Sequence, residues 1–263
     1  MTIDDETPRM SRLDRIVGIA RSMAIYHGIP FRQRRMRRLY AMFVKPGDLV
    51  FDVGAHAGNR VRGFASLGCR VVALEPQPDF AQLLRALFGR SPFVEIVEAA
   101  AGAEAGRASL SISDRTPTVT TLATGWREAR SHDADFGGVR WNRRIDVETT
   151  TLDLLIARCG VPAFVKIDVE GAEPAVLTGL SQAVPALSFE YVPAAIGEVR
   201  ACVNRLNDLG RYVFNWSAGE TFRLASSSWM TGEDLLASLD TPNGRSRSGD
   251  VYARLEHHAQ AAR

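Results

Sequence analysis

The amino-acid sequence predicts an α/β protein built on a doubly wound, mostly parallel sheet. Three observations carry that expectation. Short apolar, β-favouring runs alternate with helix-period segments from Asp48 onward. Several of these runs end on an acid. One of them, Leu49 to Val53, leads straight into the turn Gly54-Ala55-His56-Ala57-Gly58. Alternation of this kind argues for strands buried on both faces and covered by helices.

Taken in order, residues 1–45 read as a helical lead-in, with periodic apolar positions at Leu13, Ile16, Val17, Ala20 and then Leu39, Met42 and Phe43. Between them Phe31 to Arg38 is an arginine-dense helix. A clamp on phosphate would use such a run, but a solvated face whose arginine stems cover the domain is the plainer reading. The main domain spans 46–263. Strands are expected at 48–53, 70–75, 93–98, 163–169 and 186–192, with helices near 58–67, 79–88, 151–159, 174–181 and 196–209. Strands at 211–216 and 250–255 follow, with Thr231 as a helix cap between them. The interval 102–150 breaks the pattern: 108–113 and 145–149 alternate apolar and polar residues as a half-exposed strand pair. The long loop between them, with Trp126 and Trp141, is the expected substrate cap.

The glycine turn is a place for a cofactor, because Gly54 and Gly58 let the backbone turn sharply and approach a ligand closely. Seventeen residues after Gly58, the strand Arg70 to Leu74 ends at Glu75, where a protein grips the two hydroxyls of a ribose. The spacing Gly54-x-x-x-Gly58 does not form the G-x-G-x-x-G of a pyrophosphate site, and Asp52 would repel phosphates. That argues against NAD and FAD. S-adenosyl-L-methionine, with its ammonium and sulfonium, suits an acidic strand end better. A third block, Phe164 to Pro174, is another apolar strand ending in clustered acids, with Pro174 in the first turn of a helix. Glu173 is read there with two roles open: a site residue, or a cap on free N–H groups.

The blocks Phe51-Asp52-Val53-Gly54-Ala55-His56-Ala57-Gly58 and Lys166-Ile167-Asp168-Val169-Glu170-Gly171-Ala172-Glu173 resemble the FkbM family of S-adenosylmethionine-dependent methyltransferases. The resemblance runs from about Pro46 to Leu180 and more weakly onward. It implies a Rossmann-like class I methyltransferase: a seven-stranded, mostly parallel sheet with an antiparallel closing strand. It also implies a cofactor site formed by Asp52, Gly54, Ala55, His56, Gly58, Glu75, Pro76, Glu98, Ala99 and Asp168. Glu75 would take the ribose, Glu98 and Ala99 would lie near the adenine, and Asp52 or His56 would serve the methionine end. Position 56, histidine here, is often asparagine in the family. The implied reaction is O-methylation of a hydroxyl on a small molecule, sugar, glycan or natural product. Such an acceptor must lose a proton. Asp168 and Glu170 lead as the base, with His56 third.

A metal held by Asp168, Glu170 and Glu190 is not expected, since alternate strand residues point to opposite faces and converge only if the strand has ended. His257-His258 reads as a solvated tail. The 263 residues carry a net charge of +2, too little to imply a polyanion partner, so nucleic acid is not expected. A non-catalytic cofactor-fold partner protein, an RNA methyltransferase and a nicotinamide oxidoreductase are the weaker alternatives. Cys69, Cys159 and Cys202 are too few and scattered for a disulfide framework, which suits a reducing cytoplasm. The acidic start Met1 to Glu6 is unlike a secretory signal, and no apolar run approaches the roughly 20 residues of a membrane span. The sequence sets no oligomeric state.

Overall fold

The computed structural model describes residues 17, 32–113 and 143–256. The expectations for most of the lead-in, for the loop with Trp126 and Trp141 and for His257-His258 lie outside the described residues. Helix α1 (Arg32–Tyr40) precedes β1 (Leu49–Val53), and the alternation then runs α2 (Asn59–Ser66), β2 (Arg70–Leu74), α3 (Pro78–Phe88) and β3 (Val94–Val97). After an intervening small sheet come α4 (Leu152–Cys159), β7 (Phe164–Ile167), α5 (Glu173–Thr178), β8 (Ala186–Tyr191) and α6 (Ile196–Leu209). The chain continues through β9 (Tyr212–Ala218), α7 (Gly232–Leu239) and β10 (Gly249–Leu255).

Local chemistry explains the helix starts. Pro78 opens α3, where its missing N–H costs nothing. Thr151 caps α4 by accepting the Leu154 N–H at 3.1 Å, and Thr231 caps α7 by accepting that of Asp234 at 3.2 Å.

The main sheet has seven strands in the order β3-β2-β1-β7-β8-β10-β9. All neighbours pair in parallel except β10, which is antiparallel to both β8 and β9. The reversed strand therefore lies inside the sheet, not at its edge. A smaller sheet, β4-β6-β5, pairs β5 (Gly106–Ile112) antiparallel to β6 (Arg143–Thr150), as the alternation in the sequence predicts. It adds the two-residue β4 (Ala100–Ala101) parallel to β6.

The two faces of the main sheet differ. On one, Phe51, Val53, Val165, Ile167, Leu187 and Phe189 pack against α4, α5, α6 and α7 in a continuous apolar core. On the other, Val50, Val71, Phe164 and Ala186 meet Met36, Leu39 and Tyr40 of α1 and Val61 and Phe64 of α2. One step nearer the carboxyl ends, this second face turns polar. The cross-strand row Asp52, Lys166, Ser188, Tyr252 and Asn215 is almost wholly buried.

The arginine helix divides accordingly. Met36, Leu39 and Tyr40 face the domain, while Arg34, Arg35, Arg37 and Arg38 are exposed.

Candidate active site

The turn after β1 is closed by its own backbone. Gly54 and Ala55 N–H groups both donate to the Leu74 carbonyl (3.0 and 2.9 Å), and the Gly58 N–H donates to Ala55 O at 2.8 Å. The His56 N–H donates to Glu75 Oε2 at 2.8 Å. These amides are thereby committed within the protein and form no nest for a pyrophosphate. Both glycines adopt positive φ, +84° at Gly54 and +76° at Gly58. A Cβ at Gly54 would run into the Asp168 carbonyl oxygen, and one at Gly58 would come within 2.5 Å of Phe88. The glycines are thus required first by the protein itself: they let the β1 turn press against the tip of β7 and against α3.

Glu75 bridges two loops. Its Oε2 accepts from His56 and its Oε1 accepts the Gln77 N–H at 2.9 Å, which fixes the carboxylate and leaves each oxygen further lone-pair capacity. Burial raises its pKa to about 7, with the two backbone donors opposing the rise. His56 has positive φ, and its ring stacks on Phe80 with centroids 4.0 Å apart. Burial lowers its pKa to about 3, so the ring is neutral near pH 7 and a weak base. Glu98 lies on the exposed side, paired with Arg85 at 2.7 Å, while Ala99 is buried and Pro76 half-buried.

Asp52 is 1% exposed and is underserved for a buried carboxylate: the Val61 N–H is its one donor of note, and Arg60 and Lys166 act on it only through charge. Burial raises its pKa to about 7 even though Arg60, Lys166 and the Val61 N–H all favour the anion. A buried carboxylate in this condition is what an arriving cationic group would satisfy.

At the tip of β7 the strand ends at Ile167, which removes the geometric objection to convergence of its acids. Glu170 takes a left-handed conformation, φ 54°, ahead of Gly171 at 93°. One carboxylate oxygen from each of Asp168, Glu170 and Glu190 then falls within 4.8 Å of the others, close enough together to hold a divalent cation. Burial, followed by the Glu170 and Asp168 charges, pushes Glu190 well above the usual carboxylate range. Glu173 is a locking residue: Oε1 accepts the Val169 N–H and Oε2 the Gly171 N–H, each at 3.0 Å. Of the two roles open for it in the sequence, the structure selects satisfaction of backbone donors.

Beneath these tips runs a chain of alternating charges that sequence reasoning missed. Glu220 receives both Arg32 (2.8 Å) and a two-pronged contact from Arg60 (2.9 and 3.2 Å). Arg60 also approaches Asp250 at 3.9 Å. Asp250 then meets Lys166 at 2.9 Å, and Lys166 meets Asp168 at 3.3 Å. Desolvation opposes the charge on Lys166, yet Asp168 and Asp250 outweigh it and raise its pKa well above the ordinary value. Asp168 was legible as a site residue and Arg32 as part of the arginine run; of the remaining members only Lys166 left a trace, as a lone cation inside the apolar run Phe164 to Ile167.

A seven-stranded sheet of this order, with one reversed strand, a glycine turn after β1 and an acid at the tip of β2, defines a class I methyltransferase. The Methyltransferase FkbM domain matches residues 52–210, and the chain belongs to that family, whose methyl donor is S-adenosyl-L-methionine. No curated protein sequence matches the chain. Among solved structures it is similar to an O-methyltransferase from Bacillus cereus in complex with SAH, at 12% identity and a TM-score of 0.41, covering 96% of this chain and 94% of that one. It is also similar to a TehB-like SAM-dependent methyltransferase from Corynebacterium glutamicum, at 10% identity and a TM-score of 0.48, covering 95% and 100%. A precorrin-6y C5,15-methyltransferase from Geobacter metallireducens aligns at 13% identity and a TM-score of 0.40, covering 85% and 87%. These distant likenesses carry nothing about substrate.

Proposed function

We propose that this methyltransferase moves a methyl group onto a hydroxyl of a sugar, glycan or other small natural product. One observation supports it above the rest: Asp168, Glu170 and Glu190 gather at the ends of β7 and β8, beside the turn that follows Asp52 of β1 and is hydrogen-bonded to Glu75. S-adenosyl-L-methionine supplies a methyl group on a sulfonium, and methyl transfer to a hydroxyl requires removal of a proton. Asp52 would answer the cationic methionine end, Glu75 the ribose hydroxyls, and Glu98 with Ala99 the adenine side. Asp168 is assigned as the base, with Glu170 beside it. His56, neutral and packed on Phe80, is assigned a spacer's role. The segment 102–150, whose middle leaves β5 and returns on β6, is assigned as the acceptor cap. Free cysteines at 69, 159 and 202 support a cytoplasmic setting. Among the described residues no helix is long and apolar enough to cross a membrane.

Two measurements test this. Calorimetry with S-adenosylhomocysteine should show binding that Glu75→Ala weakens at least tenfold; unchanged affinity in that variant removes the ribose assignment. Radiolabelled methyl from S-adenosyl-L-methionine should pass to members of a panel of glycosides and hydroxylated natural products. Label appearing only on amines or on nucleic acid overturns the hydroxyl assignment.

A further inference from the structure

Lys166 is 0% exposed, and its ammonium has three neighbours: Ile167 O at 3.1 Å, Asp250 Oδ1 at 2.9 Å and Asp168 Oδ2 at 3.3 Å. Two of these are hydrogen-bond acceptors, Ile167 O and Asp250 Oδ1, which anchor the ammonium, and the third is an ion pair that the anchored charge makes with Asp168. Asp250 reaches this point because β10 is the reversed strand. In a parallel strand residue 250 would lie at the amino end of the sheet; reversal sets the start of β10 opposite the end of β8, pairing Asp250 with Glu190. The Tyr252 hydroxyl, at 3.4 Å, and Arg60 hold Asp250 from behind. Asp168 itself stands past the end of its strand, with its backbone N–H bonded to Val53 O at 2.9 Å and a third of its side chain exposed.

We propose that Lys166, braced by Asp250, is a positioning residue that fixes the Asp168 carboxylate, engaging one oxygen and presenting the remainder to the acceptor. The functional consequence rests on the assignment of Asp168 as the base; the geometric claim does not. A side chain beyond the strand end has no neighbours on the pleat to hold its rotamer, and displacement of a reacting group by about 1 Å can cost on the order of a hundredfold in rate.

The test uses the full chain in four forms: wild type, K166M, D168N and K166M/D168N, with K166M/D250N as a fifth. That last variant removes both buried charges at similar volume, so it guards against simple misfolding of K166M. Crystal structures at high resolution should show Asp168 in one rotamer in the wild type and in several in K166M/D250N, on an unchanged backbone. Turnover of the best glycoside from the acceptor panel should fall ~10- to 100-fold in K166M with S-adenosylhomocysteine affinity within about twofold. K166M/D168N should fall no further than D168N alone, because one residue acts through the other. A single, unmoved Asp168 rotamer in K166M/D250N overturns the inference whatever the activity, and so do additive losses in the double variant. If D168N keeps full turnover the base assignment fails instead, and if no glycoside is methylated the acceptor assignment fails; in either case the rotamer comparison still decides the positioning claim.

Discussion

Phe51 and Asp52 are neighbours on β1 and face opposite sides of the same sheet. Phe51 enters a core of apolar side chains under α4 to α7, whereas Asp52 enters a row of buried polar groups under α1 and α2. Both are essentially inaccessible to water, at 0% and 1% exposure. The difference teaches how this fold separates stability from chemistry. One face is apolar through its centre, with charge only at its rim where Glu95 of β3 meets Arg158 of α4, and it holds the molecule together. The other gives up apolar contact toward the carboxyl ends and holds charges that cost free energy to bury.

The largest effect should come from the apolar face. Phe51→Ala is expected to lower stability by about 3–5 kcal/mol in chemical denaturation, the usual cost of emptying an aromatic site in a packed core. A loss below about 1 kcal/mol would mean that this face is not the dominant core.

Next comes Gly54→Ala, where the turn meets the tip of β7. The new Cβ would collide with the Asp168 carbonyl at a positive φ, so a loss of about 3 kcal/mol is expected, with weakened binding of S-adenosylhomocysteine. Gly47→Ala is its control. It has a similar φ of +89° with nothing within 4 Å, and should cost only about 1 kcal/mol. Equal losses in thermal melts of the two variants would remove the steric part of the explanation.

The polar face should respond with the opposite sign. Asp52 carries a folded pKa raised to about 7, against an ordinary value near 4 in the unfolded chain. The unfolded chain therefore releases this proton first, so the stability linked to Asp52 is complete below about pH 4 and is lost as pH rises toward 7. Asp52→Asn cannot ionise. Without cofactor it should be more stable than the wild type at pH 8, on the order of 2 kcal/mol, and flatter between pH 4 and 7, while binding S-adenosylhomocysteine more weakly. A variant less stable than the wild type at pH 8 would refute the claim that the burial of Asp52 outweighs its favourable partners.

The smallest effect belongs to the exposed pair Arg85–Glu98. Glu98→Ala should change the melting free energy by less than about 1 kcal/mol, as for other solvent-screened pairs. Its informative readout is calorimetric, since a drop in S-adenosylhomocysteine affinity would support the adenine assignment.

Much of this fold was legible in the chain. The strand expected at 48–53 is Leu49–Val53, and the helix expected at 151–159 is Leu152–Cys159, because a period-2 or apolar run and a capping threonine act over a few residues. Glu75 at the tip of β2 was equally readable, since the strand and the turn that it serves are adjacent in sequence. The ion chain was not. Lys166 and Asp250 stand 84 residues apart, and Arg60 and Glu220 stand 160 apart. No local pattern marks a charge whose partner arrives on another strand. The convergence of Glu170 with Asp168 could be stated only conditionally from the sequence, because it depends on where β7 stops and on a left-handed turn beyond it.

The sequence by itself determined the alternation of strands and helices, the glycine turn and the acidic blocks that mark the family. All of these are written in residue type and short spacing, which hydrophobic periodicity and backbone freedom convert directly into local structure. Only the tertiary structure decided which charges meet. Strand register placed Asp52 beside Lys166, and the reversal of β10 brought Asp250 beneath the site. Ion pairing is set by through-space distance, and through-space distance is fixed only once every strand has taken its neighbour.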